Sequence, residues 1–416
     1  MSSFIPLEHI QKAKTHIRSL FDPTPLEYSP RLSKLYDAEI FIKREDLTPV
    51  RSYKIRGAYN CMSTLSEGER ARGIVCASAG NHAQWVAYSA DKLGIHGKIF
   101  MPLLTPEQKV YKTKKFGGEY IEVILFGDTF DDAYAESKKY EASSWAVFIH
   151  PFDDDRIIAG QWTVGLEMYE QMGSKAPDII ICPIGGGGLI GGVISVFQNL
   201  APQTWIVGVE PEWAPSMQKS LEMHENTTLD KIDTFVDGAS VKRVGNSNFR
   251  IAKEYDLQVL TVHEDAICTT MLEFLREEGI VSEPAGALAT TALSKLKHEI
   301  RGKTVVVVLS GSNFDFERLP EVKERSLKHE GRKRYLVVTF PQRPGTLMEF
   351  MELMSPDDDI TRFEYLKKGN KERAPALIGI ETKDSANFVH LFASLDSHGI
   401  QYVDITNNQT FYDLLV

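Results

Sequence analysis

The stretch PDIIICPIGGGGLIGGVISVFQNL, residues 177–200, restricts the folds open to this 416-residue chain more than any other. An apolar, isoleucine-rich run enters four consecutive glycines, Gly185, Gly186, Gly187 and Gly188, and continues as an apolar helix that starts near Leu189. A strand that is apolar without alternation is buried on both faces, as in a parallel sheet covered by helices. The glycines remove every Cβ at the turn, so backbone N–H groups and a helix N-terminus can close around an anion such as a phosphate. Whose phosphate stays open at this point. Gly186, Gly188 and Gly191 also satisfy G-x-G-x-x-G, and Glu210 closes the next strand, where a dinucleotide fold keeps its ribose-binding acid. A glycine-rich turn with no ligand is the third reading, although a mere turn does not need the backbone entropy that four glycines cost.

The same strand-to-loop pattern recurs along the chain. AEIFIKRE (38–45), GIVCAS (73–78), GKIFMP (97–102), EYIEVIL (119–125), TWIVGVE (204–210) and KTVVVVLS (303–310) read as strands separated by helical patterns, which predicts an α/β fold with mostly parallel sheets. Several of these runs end in loops of Gly, Ser or Asn, where open α/β sheets bind ligands. After Ser310 the character changes: residues 317–334, ERLPEVKERSLKHEGRKR, are crowded with charge and read as a linker or an exposed helix. Beyond them RYLVVTF, RPGTLMEFMELM, ITRFEYLKK, APALIGIETK, SANFVHLFASLDSHG and IQYVDIT give the order β-α-β-β-α-β, the ferredoxin-like α+β pattern. The expected organisation is a larger domain over 1–320 with a smaller subdomain of roughly 45–150 inserted in it, a linker over 321–333, and a second domain over 334–416.

Bulk properties narrow the function classes. A net charge of −10 argues against nucleic-acid binding, which relies on clustered excess Lys and Arg. The N-terminus MSSFIPLEHIQKAKTHI lacks a basic flank followed by an apolar run, and no span is apolar enough for a membrane, so a cytoplasmic protein is expected. Cys61, Cys76, Cys182 and Cys268 form no C-x-x-C pair and are read as buried apolar residues, with no metal site implied.

Three further loops and one helix start carry chemistry-bearing residues. In CASAGNHAQWVA, Ser78, Ala79, Gly80, Asn81 and His82 form a small polar turn suited to a carboxylate and a ring oxygen; a lone His in such a turn is more often structural, and His82 is not assigned as a base. In GKTVVVVLSGSN, Ser310 ends the most apolar strand, where a hydroxyl can donate to a heterocyclic nitrogen without imposing a charge. In GIVSEPAGA, Glu283 precedes a proline; taken alone, such a carboxylate is usually a cap or a solvated charge. In RSYKIRGAYN, Lys54 opens a helix, where the positive end of the dipole and any burial both favour the free amine.

RSYKIRGAY, SAGNHAQ, GGGGLIGG, SEPAGA and LSGSN, in this order and at these spacings, resemble the fold-type-II pyridoxal-phosphate enzymes, and within them the threonine and serine dehydratases. The resemblance covers about 320 residues, and the C-terminal module resembles the single ACT-like regulatory domain of biosynthetic members of that family. It implies a tryptophan-synthase-β-like catalytic fold of two open α/β sheets, pyridoxal 5'-phosphate as cofactor, and dehydration of L-threonine to 2-oxobutanoate and ammonia. Lys54 becomes the Schiff-base lysine and Tyr53 the aromatic neighbour of the cofactor ring. Gly185, Gly186, Gly187, Gly188 and Leu189 hold the phosphate, Asn81 meets the ring 3′-oxygen, and Ser310 meets the pyridine nitrogen. The turn from Ser78 to His82 grips the substrate carboxylate, and Glu283 is similar to a family acid near the cofactor.

Two residues depart from the pattern. Many relatives have Phe where this chain has Tyr53, and relatives that racemise serine carry a second serine where this chain has Ala79, so the resemblance implies elimination over racemisation. It also implies isoleucine and valine as effectors of the C-terminal module, with the loop at Arg343, Pro344 and Gly345 as a candidate site, and a homodimer or homotetramer. Three alternatives stay open: an L-serine dehydratase, a dinucleotide-dependent oxidoreductase built on the Gly186 motif and Glu210, and a non-catalytic amino-acid sensor.

Overall fold

The computed structural model describes residues 7–173, 175–365, 372–408 and 410. The chain divides into two compact units, Met1–Asp315 and Phe316–Val416.

The first unit is built on two sheets. The larger runs in the order Leu26–Tyr28, Glu39–Arg44, Thr304–Leu309, Ile179–Pro183, Trp205–Pro211 and Gln258–Val262. All its pairings are parallel except that of Leu26–Tyr28 at the edge. Thr304–Leu309 lies between Glu39–Arg44 and Ile179–Pro183, with Val305 facing Ile40 on one side and Ile179 on the other. Covered on both faces, its residues Val305 to Leu309 are fully buried, and each such aliphatic side chain contributes about 1.5–3 kcal/mol relative to exposure. The smaller sheet is wholly parallel, in the order Ile121–Leu125, Gly97–Met101, Ile74–Ala77 and Val147–Phe148. Its core of Ile74, Ile99 and Met101 extends to Ile55, Met62 and Trp85 on the neighbouring helices.

The strands expected from continuous apolar runs are all present. Leu26–Tyr28, Val147–Phe148 and Gln258–Val262 add to them. The first two are only 3 and 2 residues long, too short for a periodicity, and Gln258–Val262 is a partly exposed edge strand with polar residues in it.

Helix starts differ in a way that bears on function. Ser66 and Thr129 form capping boxes, and Asp154 caps the helix Asp155–Gln171. Asp153 accepts from Asn246 N and Ser247 N at the start of Asn246–Tyr255, and Glu210 accepts from Met217 N and Gln218 N at the start of Ser216–Glu222. By contrast, Asn81–Leu93 and Gly188–Leu200 begin behind glycines with no side-chain cap. Their first-turn N–H groups have no partner within the helix.

The second unit holds an antiparallel sheet in the order Asp359–Tyr365, Arg373–Glu381, Lys333–Pro341 and Gln401–Asp404. With the helices Thr346–Met351 and Ala386–Ser397 it follows the β-α-β-β-α-β order. Leu336, Val338 and Phe340 alternate along one face and share a core with Phe350, Ile378, Phe388 and Leu391. The last three residues of the expected strand ITRFEYLKK lie outside the described residues. The charge-rich segment before the sheet is a helix, Leu319–His329, and not fully exposed: Val322, Ser326 and Leu327 are buried along one stripe. Tyr335 Oη donates to Glu324 on that helix at 2.7 Å. Among the described residues no helix is long and apolar enough to cross a membrane.

Candidate active site

The backbone around Lys54 is pinned to the end of the central strand. Ser52 and Gly311 form an antiparallel bridge, Tyr53 N donates to Ser310 O at 3.1 Å, and Ser312 N donates to Arg51 O at 2.9 Å. Arg51 takes a left-handed conformation, φ 61°, to make this approach, a strain that persists only where surrounding contacts fix it. Lys54 then leads into the helix Ile55–Ser63 without capping it, and its Nζ donates to Gly238 O at 3.1 Å beneath the buried Trp85, 5.2 Å from the ring centroid. Burial lowers the pKa of this amine, and the negative charges of Glu283 and Asp237 oppose the shift only in part. Tyr53 is half-buried beside it, its ring centroid 5.8 Å from Nζ, and burial pushes its phenol up.

The glycine run sits at the end of Ile179–Pro183. Gly187 has φ 90°, and a Cβ there would lie 2.8 Å from Asn248 Cβ. A Cβ on Gly186 would enter the Phe152 ring at 2.1 Å, and one on Gly185 would stand 3.1 Å from Ala239 Cα. Asn248 Nδ2 donates to Gly186 O at 2.8 Å and to Phe152 O at 3.0 Å, which locks the loop from above. Gly188 and the buried Leu189 open the uncapped helix.

Asn81 opens the helix Asn81–Leu93, and its Nδ2 donates to both carboxylate oxygens of Glu283 at 2.8 Å. Burial first and Asp237 second raise the Glu283 pKa to about 7, against the Asn81 hydrogen bond and the charge of Lys54. Glu283 N donates to Gly311 O, and a Cβ on Gly311 would collide with Glu283 Oε1 at 2.3 Å. The turn carrying Glu283 is therefore pressed onto the strand end that carries Ser310. Ser310 Oγ donates to Ala285 O at 3.1 Å, a partner the sequence did not indicate, so its single O–H must turn away from that carbonyl to donate to a ring nitrogen.

In the Ser78 turn, Ser78 Oγ accepts from Gly80 N at 3.1 Å, and Ser78, Ala79, Gly80 and Asn81 are half-buried. The His82 ring is buried, with Nε2 bonded to Ile149 O at 2.8 Å, and burial holds its pKa down at about 3. Its ring is a neutral structural group, and what it can offer a ligand is its backbone N–H.

Lys54, Asn81, Glu283, Ser310 and the glycine loop are thus linked through Gly238, Gly311 and Ala285. The dinucleotide reading loses its acid, because Glu210 is buried and spent on Ser216, Met217 N and Gln218 N. Sequence reasoning missed Gly238, Phe152 and Asn248, whose roles arise from loop packing that no periodicity reports. Only the acidic run after Phe152 carried a signal, as a helix start.

The cradle fits a pyridoxal phosphate: an anion-sized space kept free of Cβ atoms behind an uncapped helix, with a lysine amine driven toward its neutral form beside it. The chain belongs to the pyridoxal-phosphate dependent enzymes, whose family model matches residues 17–311.

Within that class it groups with the biosynthetic L-threonine dehydratases. It is 48% identical to the L-threonine dehydratase biosynthetic IlvA of Halalkalibacterium halodurans over 413 residues, 99% of each chain. To the protein of that name from Bacillus subtilis it is 45% identical over 416 residues, 100% of this chain and 98% of the other. Residues 324–415 match the C-terminal regulatory domain of threonine dehydratase. Among solved structures, the processed form of threonine deaminase isoform 2 from Solanum lycopersicum superimposes with a TM-score of 0.73 at 36% identity, covering 77% of this chain and 88% of that one.

Proposed function

We propose that this chain converts L-threonine to 2-oxobutanoate and ammonia with pyridoxal 5'-phosphate as cofactor. The observation that carries the reading is the half-buried Lys54, its amine pushed toward its neutral form, in one site with a glycine-lined helix start and a strand-end serine. Lys54 would hold the cofactor covalently, Gly185 to Leu189 its phosphate, Asn81 its ring oxygen and Ser310 its ring nitrogen, with Tyr53 and Glu283 beside the ring. When bound, the cofactor supplies a sink for the electron pair left at the α-carbon.

The chain's own residues do the rest. The turn from Ser78 to His82, at an uncapped helix start, holds the substrate carboxylate. Lys54 Nζ takes the α-proton, a task suited to an amine whose proton burial has already weakened. Ser310 is neutral and would not keep a proton on a ring nitrogen as a carboxylate would, so loss of the β-hydroxyl, which would leave as water with a proton for which the bound phosphate would be the acid, competes well against return of the α-proton. Ala79 carries no hydroxyl to return a proton from the other side, which also favours elimination. Trp85, fully buried, covers one side of the amine. The enamine released hydrolyses to the keto acid and ammonia.

Turnover of threonine against serine, with the absorbance of the lysine-bound cofactor followed in the same sample, tests the reading. A threonine rate well above the serine rate is expected. Faster turnover of serine would replace it with the serine dehydratase reading, since one methyl group in a pocket is worth only about 1–3 kcal/mol.

The second unit we read as a sensor for isoleucine, and for valine as a competing effector, at the loop of Arg343, Pro344 and Gly345. The match to a threonine dehydratase regulatory domain supports this. We take the working form to be a cytoplasmic homodimer or homotetramer, and light scattering of the purified protein decides between them.

A further inference from the structure

Two residues beyond Lys54 the chain buries an entire arginine. Arg56 is 0% exposed, as are Lys43 and Glu45, and Glu167 is 4% exposed. Arg56 donates Nε to Glu45 Oε2 at 2.8 Å, Nη2 to Glu45 Oε1 at 2.9 Å, and Nη1 and Nη2 to the two Glu167 oxygens at 2.8 Å each. Lys43 Nζ reaches Glu167 Oε2 at 2.8 Å and Thr24 O at 2.7 Å. The cluster holds two cations and two carboxylates, so it carries no net charge.

Such clusters are poor stabilisers. Desolvation commonly offsets the attraction, and well-packed apolar replacements are often neutral or better. A reason other than stability is needed, and the cluster's connections supply one. Arg56 lies in the first turn of Ile55–Ser63 behind Lys54, Glu45 follows the strand Glu39–Arg44 that flanks Thr304–Leu309, and Glu167 lies on Asp155–Gln171. Three elements around the site are therefore referred to one guanidinium of fixed planar geometry. The two helices meet closely there. A Cβ on Gly57 would reach Gln161 Nε2 at 2.4 Å, and one on Gly160 would reach Arg56 O at 2.3 Å. The Arg-Gly-Ala run after Lys54 thus has a physical role outside the reaction itself.

We propose that Arg56, held by Glu45 and Glu167, is a positioning residue for Lys54: the buried ion cluster sets the helix start from which the amine reaches Gly238 O and the substrate. The inference rests on the reading of Lys54 as the cofactor-bearing amine.

Two variants of the full-length chain test it, the charge-balanced E45Q/R56M, which leaves the Lys43 and Glu167 pair intact, and R56K. Each is stripped of cofactor, the rate at which Lys54 captures added pyridoxal phosphate is followed by absorbance, and borohydride fixation with mass spectrometry identifies the residue. In E45Q/R56M, capture and kcat on threonine are expected to fall together by roughly ten- to a hundredfold, the effect of a small misplacement of a reacting group, with KM changed less than about threefold. The thermal midpoint should stay within a few degrees. R56K keeps the charge without the fork and is expected to lose about fivefold in both rates, and it decides the matter if the double variant does not fold. Wild-type capture and kcat in a folded variant would overturn the proposal, as would losses that vanish on cooling below the unfolding transition. A wild-type protein that captures the cofactor on Lys54 but ignores threonine would overturn the substrate reading alone, with the capture rates still deciding the role of Arg56.

Discussion

Titratable groups separate the two units of this chain. In the first, burial is the largest cause of the shifts at Lys54, His82 and Glu283, and it moves each toward its uncharged form. In the second, Arg343, Glu349 and Lys383 are shifted by surface partners, each toward its charged form. The folds match this division: parallel strands covered on both faces bring strand-end loops together at a half-buried site, whereas the second unit leaves Arg343, Glu349 and Lys383 in water. On the reading proposed above one unit moves protons and the other recognises an effector, and substitutions can set that contrast at risk.

The largest expected effect is at the amine. Lys54→Ala should abolish turnover, a fall of ~10⁴-fold or more, because both the covalent hold on the cofactor and the base are lost. The absorbance of the lysine-bound cofactor should vanish with it, and measurable dehydration by the purified variant would remove Lys54 from the reaction.

Next come two glycines with nearly the same backbone. Gly187 has φ 90° and Gly345 has φ 88°, but an added Cβ meets Asn248 at 2.8 Å in the first case and nothing within 4 Å in the second. Gly187→Ala adds a clash to left-handed strain, about 1–3 kcal/mol, and cofactor affinity measured by titration should weaken by about ten- to a hundredfold. Gly345→Ala carries the backbone strain alone, about 1–2 kcal/mol, and should leave cofactor affinity as it was. Equal losses of affinity would erase the distinction between the units.

A smaller effect follows from Glu283, raised from an ordinary value of 4.5 to about 7. Below about pH 4.5 the carboxyl is protonated in both folded and unfolded chains and has no linkage effect. Between 4.5 and 7 the folded chain keeps a proton that the unfolded chain releases, so stability is lost as pH rises through that window. Glu283→Gln removes the titration. In cofactor-free protein its stability relative to wild type should improve from pH 5 to pH 8 by on the order of 2 kcal/mol. Parallel stability curves for the two proteins would show that Glu283 does not hold its proton.

Much of this was legible in the chain because strand ends carry both signals. The apolar runs gave seven strands of the first unit, and the Gly, Ser and Asn residues that end them gave Lys54's company in Gly185 to Leu189, Asn81 and Ser310. What stayed hidden is held by contacts between segments distant in sequence. Gly238 enters through a carbonyl, which any residue possesses, and Phe152 through a ring lying on a glycine. Asn248 bonds to Gly186, 62 positions earlier. The stripe of Val322, Ser326 and Leu327 was masked by the charges around it, as a half-buried helix often is.

The smallest expected effect concerns the surface of the second unit. Arg343 donates Nη1 and Nη2 to the two oxygens of Glu349 at 2.7 Å each, and both side chains are more than half exposed. A pair in that setting adds little to stability, so Arg343→Ala and Glu349→Ala should leave basal kcat and the unfolding midpoint unchanged. Their effects on isoleucine should be opposite in sign. An amino-acid carboxylate arriving at the Arg343 loop competes with Glu349 for one guanidinium, so removing Glu349 frees the fork and should lower the half-inhibitory concentration by a few-fold. Removing Arg343 should raise it by at least as much, because a bidentate carboxylate partner is lost. Titration of threonine turnover with isoleucine measures both. Shifts of the same sign would place the effector away from Arg343 while leaving the contrast between the units intact, whereas a change in basal kcat would show that the second unit contributes to the chemistry itself.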